Sequence, residues 1–231
     1  MAKAVIFDFS GTLFRCEDTV SWLRAVLDEA GIAADDREIA DAAAALEASG
    51  GQPGGHTKVA VPRHLADLWE RRDTSAEAHR RAYTALIAQA ALPWPGLVDR
   101  LYERNARPEA WWPYPDTAPA LRLLAERAVP VAVVSNIGWD PRPIFRHHGV
   151  DQLIRGYLLS FEEGVIKPDP RIFHRACAVL GHDPRDVLMV GDDPVADGGA
   201  TTIGCEFRAV PHLPPAQRPR ALLDAIEDVG R

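Results

Sequence analysis

Four short apolar runs, each ending near a polar residue, constrain the fold of this chain more than any other feature. They are Ala4 to Phe9, Val129 to Val134, Gly156 to Leu159 and Val187 to Val190. Runs this short suit strands buried on both faces better than helices. Glu206 to Val210 is a weaker fifth run. Between the later runs lie punctuated helical stretches. One starts at Asp116 and carries Leu121, Leu124 and Ala125 at helical spacing; a second runs from Asp140, as N-cap, through Pro141 to Gly149. A third begins near Pro168-Asp169-Pro170 and stops at Gly181. Alternating strands and helices imply a parallel sheet with helices on both sides.

The stretch from about Arg15 to Trp112 reads differently. It shows no strand pattern, only helices: Thr19 to Ala30, Asp35 to Ala48, Pro62 to Arg72, Thr74 to Ala91 and Pro95 to Arg107. Thr74 and Glu77 have capping-box spacing. Ser49 to Gly55 reads as a glycine-rich loop. The expected fold class is therefore α/β: a Rossmann-like, doubly wound parallel sheet core with an inserted α-helical cap domain. The core would be residues 1–14 plus 113–231, and the cap 15–112. Trp22 and Trp69 read as packing residues. Trp111 to Pro115 reads as a stiff hinge where the insert rejoins the core, and Trp139 is a candidate for lining a pocket. The Pro-rich stretch Pro211 to Pro219 reads as a surface connection to a last helix.

Net charge is -7, from 26 basic and 33 acidic residues, which argues against a uniform basic face for nucleic acid. Cys16, Cys177 and Cys205 lack metal-finger or disulfide spacing and suit a reducing compartment. The apolar start of the chain meets Asp8 too soon for a signal peptide or membrane span. The expectations are a cytoplasmic location, no membrane or nucleic-acid partner, and a monomer or homodimer.

Ligands of a doubly wound sheet bind beyond the carboxyl ends of its strands. The first run delivers Asp8 and then Ser10-Gly11-Thr12, and the second delivers Ser135-Asn136. The loop after the third carries Lys167, and the fourth delivers Gly191-Asp192-Asp193, with Asp197 beyond. Each taken singly is ordinary turn or capping chemistry. Together they put carboxylates for a hard cation such as Mg²⁺ beside a lysine and a hydroxyl for an anion, the parts of a phosphoryl-transfer site.

FDFSGTLF, VVSN, IKPDP and VGDDPVAD resemble, in order, the four signature motifs of the haloacid dehalogenase superfamily. The segments around the second and third, DTAPALRLLAERAVPVAVVSN and SFEEGVIKPDPRIF, are similar to the branch with a helical cap after the first motif. The resemblance implies an Mg²⁺-dependent phosphatase-type hydrolase of small phosphorylated molecules, acting through an aspartyl-phosphate intermediate. It implies Asp8 as nucleophile, Lys167 as the charge-neutralising cation and Ser135 with the Asn136 backbone on the transferring group. Asp8, Asp192, Asp193 and the Ser10 main-chain carbonyl would hold Mg²⁺. Asp197 would orient Lys167 or its loop, and Thr12 would support the loop after the nucleophile, at the edge of the substrate site.

Ser10 departs from the pattern. Most phosphatases of the superfamily carry a second aspartate there, which protonates the leaving oxygen and then activates water. A hydroxyl is too weak an acid for that, and the help is worth about 10²–10⁴-fold. Four readings stay open. The acid could be relocated, with Glu17, Asp18, His56 and His79 as candidates. The substrate could have a good leaving group, as acyl and aryl phosphates do. The chain could cleave a carbon–phosphorus bond with Lys58, the one lysine of the insert, as a Schiff base. Or it could bind a phosphorylated ligand without turnover. Superfamily dehalogenases need no metal and usually lack the acidic pair Asp192-Asp193, which weighs against dehalogenation.

Overall fold

The structure is a computed structural model that describes residues 1–55 and 61–230. The first half of the chain runs β1 (Ala4–Phe7), β2 (Phe14–Cys16), α1 (Thr19–Ala30), α2 (Asp36–Ser49), α3 (Ala66–Glu70), α4 (Ala76–Gln89), α5 (Leu97–Arg104) and β3 (Trp111–Pro113). The second half runs α6 (Thr117–Glu126), β4 (Val131–Ser135), α7 (Arg142–His147), β5 (Gly156–Leu159), α8 (Ser160–Glu163), α9 (Pro170–Leu180), β6 (Val187–Gly191), β7 (Glu206–Ala209) and α10 (Ala221–Ala225).

Five strands form one parallel sheet in the order β5-β4-β1-β6-β7. All four residues of β1 are fully buried, because the central strand is covered on both faces. Strand alternation divides its side chains. Val5 and Phe7 join Val131, Val133, Leu188 and Val190 in one layer with α6, α7 and α10. Ala4 and Ile6 join Ala132, Val134, Val187 and Met189 in the other, against α9. Full burial of such side chains stabilises by about 1.5–3 kcal/mol each. The winding of the chain reverses between β1 and β6, so Asp8 emerges at the switch point where doubly wound sheets bind ligands.

The helical insert has its own core, built from Trp22, Leu23, Val26, Ile39, Leu46, Ile87 and Leu101. Its helix ends follow local chemistry. Asp18 caps α1 by accepting from Ser21 N, and Asp35 and Glu38 form a capping box on α2. The cap of α4 is Ser75, accepting from Ala78 N, not Thr74. Thr74 instead donates its hydroxyl to Arg71 O and closes the preceding 3₁₀ turn.

A second correction concerns the join of insert and core. β2 and β3 pair antiparallel, Phe14 with Pro113, Arg15 with Trp112 and Cys16 with Trp111. Strands of three residues whose partners lie far apart in the chain leave no periodic trace. Trp111 is buried and donates Nε1–H to Asn105 O at 2.7 Å, whereas Trp112 is half exposed. Trp22 packs in the insert core, donating to Leu101 O, and Trp69 stacks under the Arg72 guanidinium.

The Pro-rich stretch is the third correction. It does not only cross the surface, because it inserts Arg218 into the core beneath the first motif. Arg218 is 1% exposed, donates to Gly11 O at 2.6 Å and Thr12 O at 2.7 Å, and lies 3.8 Å over the Tyr114 ring. No helix of the described residues is long and apolar enough to cross a membrane.

Candidate active site

Asp8 follows β1, and its backbone continues the sheet, donating to Val190 O. Asp192 follows β6, next door, so the first and fourth motifs meet directly. Asp197 reaches the same place from the turn after Asp193. Its carboxylate packs so close to Gly191 that a Cβ there would stand 2.1 Å from Asp197 Oδ2. Only glycine fits. Asp8, Asp192 and Asp197 each offer a carboxylate oxygen, all within 4.8 Å of one another, and could hold a metal ion.

Lys167 answers this charge. Its buried ammonium donates to Asp8 Oδ1 and Asp197 Oδ1, each at 2.6 Å, and to Val134 O at 3.0 Å. Burial would lower its pKa, but Asp197 and Asp8 outweigh it and hold the ammonium above the ordinary lysine range. Burial pushes Asp8 up to about 8; Lys167 opposes the shift, while Asp197 and Asp192 add to it. Asp8 Oδ2 is buried without a hydrogen-bond partner among the described residues. Among the described residues one lysine faces these three carboxylates, so their deprotonated forms together carry excess negative charge.

The other strand-end residues fall into distinct positions. Ser135 is buried at the end of β4 and lines a cavity of about 40 Å³ together with Ser10, Gly54, His79, Trp111 and Trp139. Asn136 lines it too, but its side-chain amide is committed to Lys167, accepting from Lys167 N at 2.7 Å and donating to Lys167 O at 3.0 Å. It therefore fixes the loop that carries the lysine. Thr12 is fully buried, and its hydroxyl reaches Asp192 Oδ1 at 3.4 Å; it is not among the residues that line this cavity. Asp193 turns from the carboxylate group to its own loop, where Oδ1 accepts from Val195 N and Ala196 N. Asp197 is the carboxylate grouped with Asp8 and Asp192, on a turn where Asp193 N donates to Asp197 Oδ2 at 3.0 Å.

Two of the candidates for a relocated acid have structural roles. Glu17 is buried in a two-pronged pair with Arg104, at 2.7 and 2.9 Å, and Asp18 caps α1. Of the three candidates among the described residues, His79 is the one on the cavity; His56 lies outside the described residues, as does Lys58. Arg24 pairs with Asp36. Arg15 lines a separate cleft of about 290 Å³ on the insert, with Glu17, Thr19 and Gln52. Sequence reasoning missed His212, whose Nδ1 lies 2.8 Å from Asp192 Oδ2, and Arg218. Both sit among prolines, where no periodicity marks a buried face.

A doubly wound sheet with a buried carboxylate at its switch point, a paired lysine and a helical insert is the architecture of one hydrolase family. The chain belongs to the haloacid dehalogenase-like hydrolases, whose family pattern it matches over residues 2–200. It is 29% identical over 204 residues to (S)-2-haloacid dehalogenase 4A of Burkholderia cepacia, covering 87% of this chain and 80% of that one. It is 34% identical over 80 residues to phosphoglycolate phosphatase of Haemophilus influenzae, covering 34% of this chain and 36% of the relative. Among solved structures, a dehalogenase superposes with a TM-score of 0.67 at 23% identity, over 100% of this chain and 98% of that one. A predicted phosphoglycolate phosphatase from Haemophilus somnus superposes with a TM-score of 0.61 at 19% identity, over 98% and 97%. At these identities the structural likeness is one of fold.

Proposed function

We propose that the chain is an Mg²⁺-dependent phosphatase of small phosphorylated molecules with good leaving groups, such as acyl or aryl phosphates. The observation that carries this reading is the group of Asp8, Asp192 and Asp197, two of them buried and Asp192 half-buried, with Asp8 Oδ2 left without a partner among the described residues. An oxygen-only donor set with surplus negative charge fits a hard divalent cation. Asp8, Asp192 and the Ser10 main-chain carbonyl would hold it, with Asp197 beside them. When bound, Mg²⁺ supplies charge neutralisation on the phosphoryl oxygens.

The residues of the chain do the rest. Asp8 attacks phosphorus, the phosphorus–leaving-group bond breaks, and an aspartyl phosphate forms. Lys167, kept protonated by Asp8 and Asp197, neutralises the nucleophile's surroundings and the arriving phosphoryl charge. Ser135 offers its hydroxyl to the phosphoryl group from the cavity wall. Ser10 cannot protonate the leaving oxygen, which restricts substrates to those that leave unaided. Water then hydrolyses the intermediate.

The test is phosphate release from an aryl phosphate with and without Mg²⁺, against Asp8→Asn. Release that depends on both Mg²⁺ and Asp8 supports the reading; equal background in both proteins overturns it. The long match to a 2-haloacid dehalogenase favours a second reading, displacement of halide by Asp8. Three grouped carboxylates are poor company for the carboxylate of a 2-halo acid. Metal-independent halide release from such an acid would establish that reading in place of the first.

A further inference from the structure

The phosphatase reading leaves the second half-reaction without a base, since Ser10 stands where a carboxylate usually activates water. The insert supplies a different group at that cavity. His79 sits in the first turn of α4, 2% exposed, with its backbone N–H donating to Ser75 O. Nδ1 lies 2.9 Å from the Tyr102 hydroxyl, which fixes the ring. Nε2 makes no hydrogen bond among the described residues and faces Asp73 Oδ1 at 3.8 Å, too long for a direct bond. Asp73 is itself 5% exposed, on the turn before α4, and pairs with Arg72 at 3.1 Å. The Tyr83 and Trp139 rings enclose the imidazole at 4.5 and 5.3 Å.

The core loop after β4 is shaped to receive this ring. A Cβ on Gly138 would lie 2.2 Å from His79 Cβ, so any side chain at Gly138 would expel the histidine from the cavity. Buried imidazole, carboxylate and phenol groups in an insert that already has an apolar core are costly unless paired or used. The cavity they border has room for only a few waters at about 40 Å³, and Ser10 and Ser135 line it as well.

We propose that His79 is the base that takes the proton from the water hydrolysing the Asp8 aspartyl phosphate, with Asp73 as its charge partner. This rests on the phosphatase reading above. In the step, the water oxygen bonds to phosphorus as the bond from phosphorus to the Asp8 oxygen breaks. The electron pair returns to the Asp8 carboxylate, and the water proton goes to His79 Nε2. The imidazolium faces Asp73 until the proton leaves with the phosphate. Burial lowers the His79 pKa to about 3, with Arg72 adding to the shift, so the ring is uncharged before the step and gains basicity only as negative charge arrives in the cavity. The phosphoryl dianion and Asp73 favour the imidazolium when the proton arrives. A neutral ring is no acid for the first half-step, which agrees with substrates that leave unprotonated.

The test is rapid-mixing kinetics with para-nitrophenyl phosphate and Mg²⁺ on wild type, Asp8→Asn, His79→Gln and Asp73→Asn, with acid-quenched mass analysis of Asp8. His79→Gln is expected to keep a near-stoichiometric burst of nitrophenolate, accumulate phosphoryl mass on Asp8 and lose about a hundredfold in steady-state rate. Asp73→Asn should show the same pattern with a smaller loss, and it decides the matter if His79→Gln does not fold. Steady-state rates at the wild-type level, or burst and steady state falling by one factor in both variants, would overturn the assignment of His79 alone. No Asp8-dependent turnover or labelling in wild type would overturn the phosphatase reading and this inference with it.

Discussion

The Lys167 ammonium lies 2.6 Å from Asp8 Oδ1, deep beneath the sheet edge, although the two residues are 159 positions apart. Asp197 holds the same ammonium at the same distance. Removing the cation leaves neighbouring carboxylates buried without compensation. Lys167→Met should therefore lower stability by about 3–5 kcal/mol, as breaking a buried pair does. It should also cut aryl phosphate turnover by about 10²-fold or more. Urea unfolding and steady-state kinetics check the two effects; unchanged turnover would show that the lysine is only structural.

A pH dependence follows from Asp8. Burial raises its pKa from 3.8 to about 8 in the folded chain. Between those values the folded state holds a proton that the unfolded state has lost. The contribution of this group is thus fullest below the unfolded value and drains away as pH rises toward the folded one. A divalent cation replaces that proton, so Mg²⁺ should stabilise the protein more at about pH 8 than at about pH 5. At a hundredfold excess over Kd the gain is about 2.7 kcal/mol, which moves Tm by about 5–10 °C for a chain of this size. Thermal melts at the two pH values decide it, and equal shifts would count against the excess-charge argument.

Arg218 should matter far more than its place among prolines implies. Its guanidinium satisfies the Gly11 and Thr12 carbonyls and stacks on Tyr114. Arg218→Ala should cost about 3 kcal/mol or more, since buried acceptors lose a charged donor. Arg218→Lys should recover little of it, because an ammonium lacks the planar fork that reaches both carbonyls while stacking. The midpoints of chemical unfolding give the ranking, and a lysine variant matching wild type would reduce Arg218 to a generic buried charge.

Restoring a carboxylic acid beside the nucleophile gives a fourth prediction. Ser10→Asp should raise turnover of alkyl phosphates by about 10²-fold and of aryl phosphates much less. Equal gains, or none, would remove the leaving-group explanation of Ser10. In that background His79→Gln should cost less than it does in wild type, because two bases then serve one water.

The sheet was legible because strands buried on both faces must be apolar throughout, and Ala4 to Phe7 and Val131 to Val134 meet that demand. The strand-end polar residues were legible because an aspartate or lysine there has no packing reason to exist. What escaped was set by contacts between distant segments. The pairing of Cys16 with Trp111 leaves no pattern in either strand. The resemblance put Asp193 ahead of Asp197 as a ligand, but which one folds back against Gly191 depends on a turn closed by Asp193 itself. Nothing in the sequence marks Asp73, and only the docking of its turn buries it beside His79.

The paired crossing of β2 and β3 has a mechanical consequence. Both connections between the helical layer and the sheet are hydrogen-bonded to each other, so they form one pivot and not two loose tethers. Ser10 bridges to Phe14, the first residue of that pivot. A swing of the helices wide enough to admit a reactant would be geared directly to the backbone carrying Ser10, so entry and the setting of the reaction chamber are strokes of the same lever.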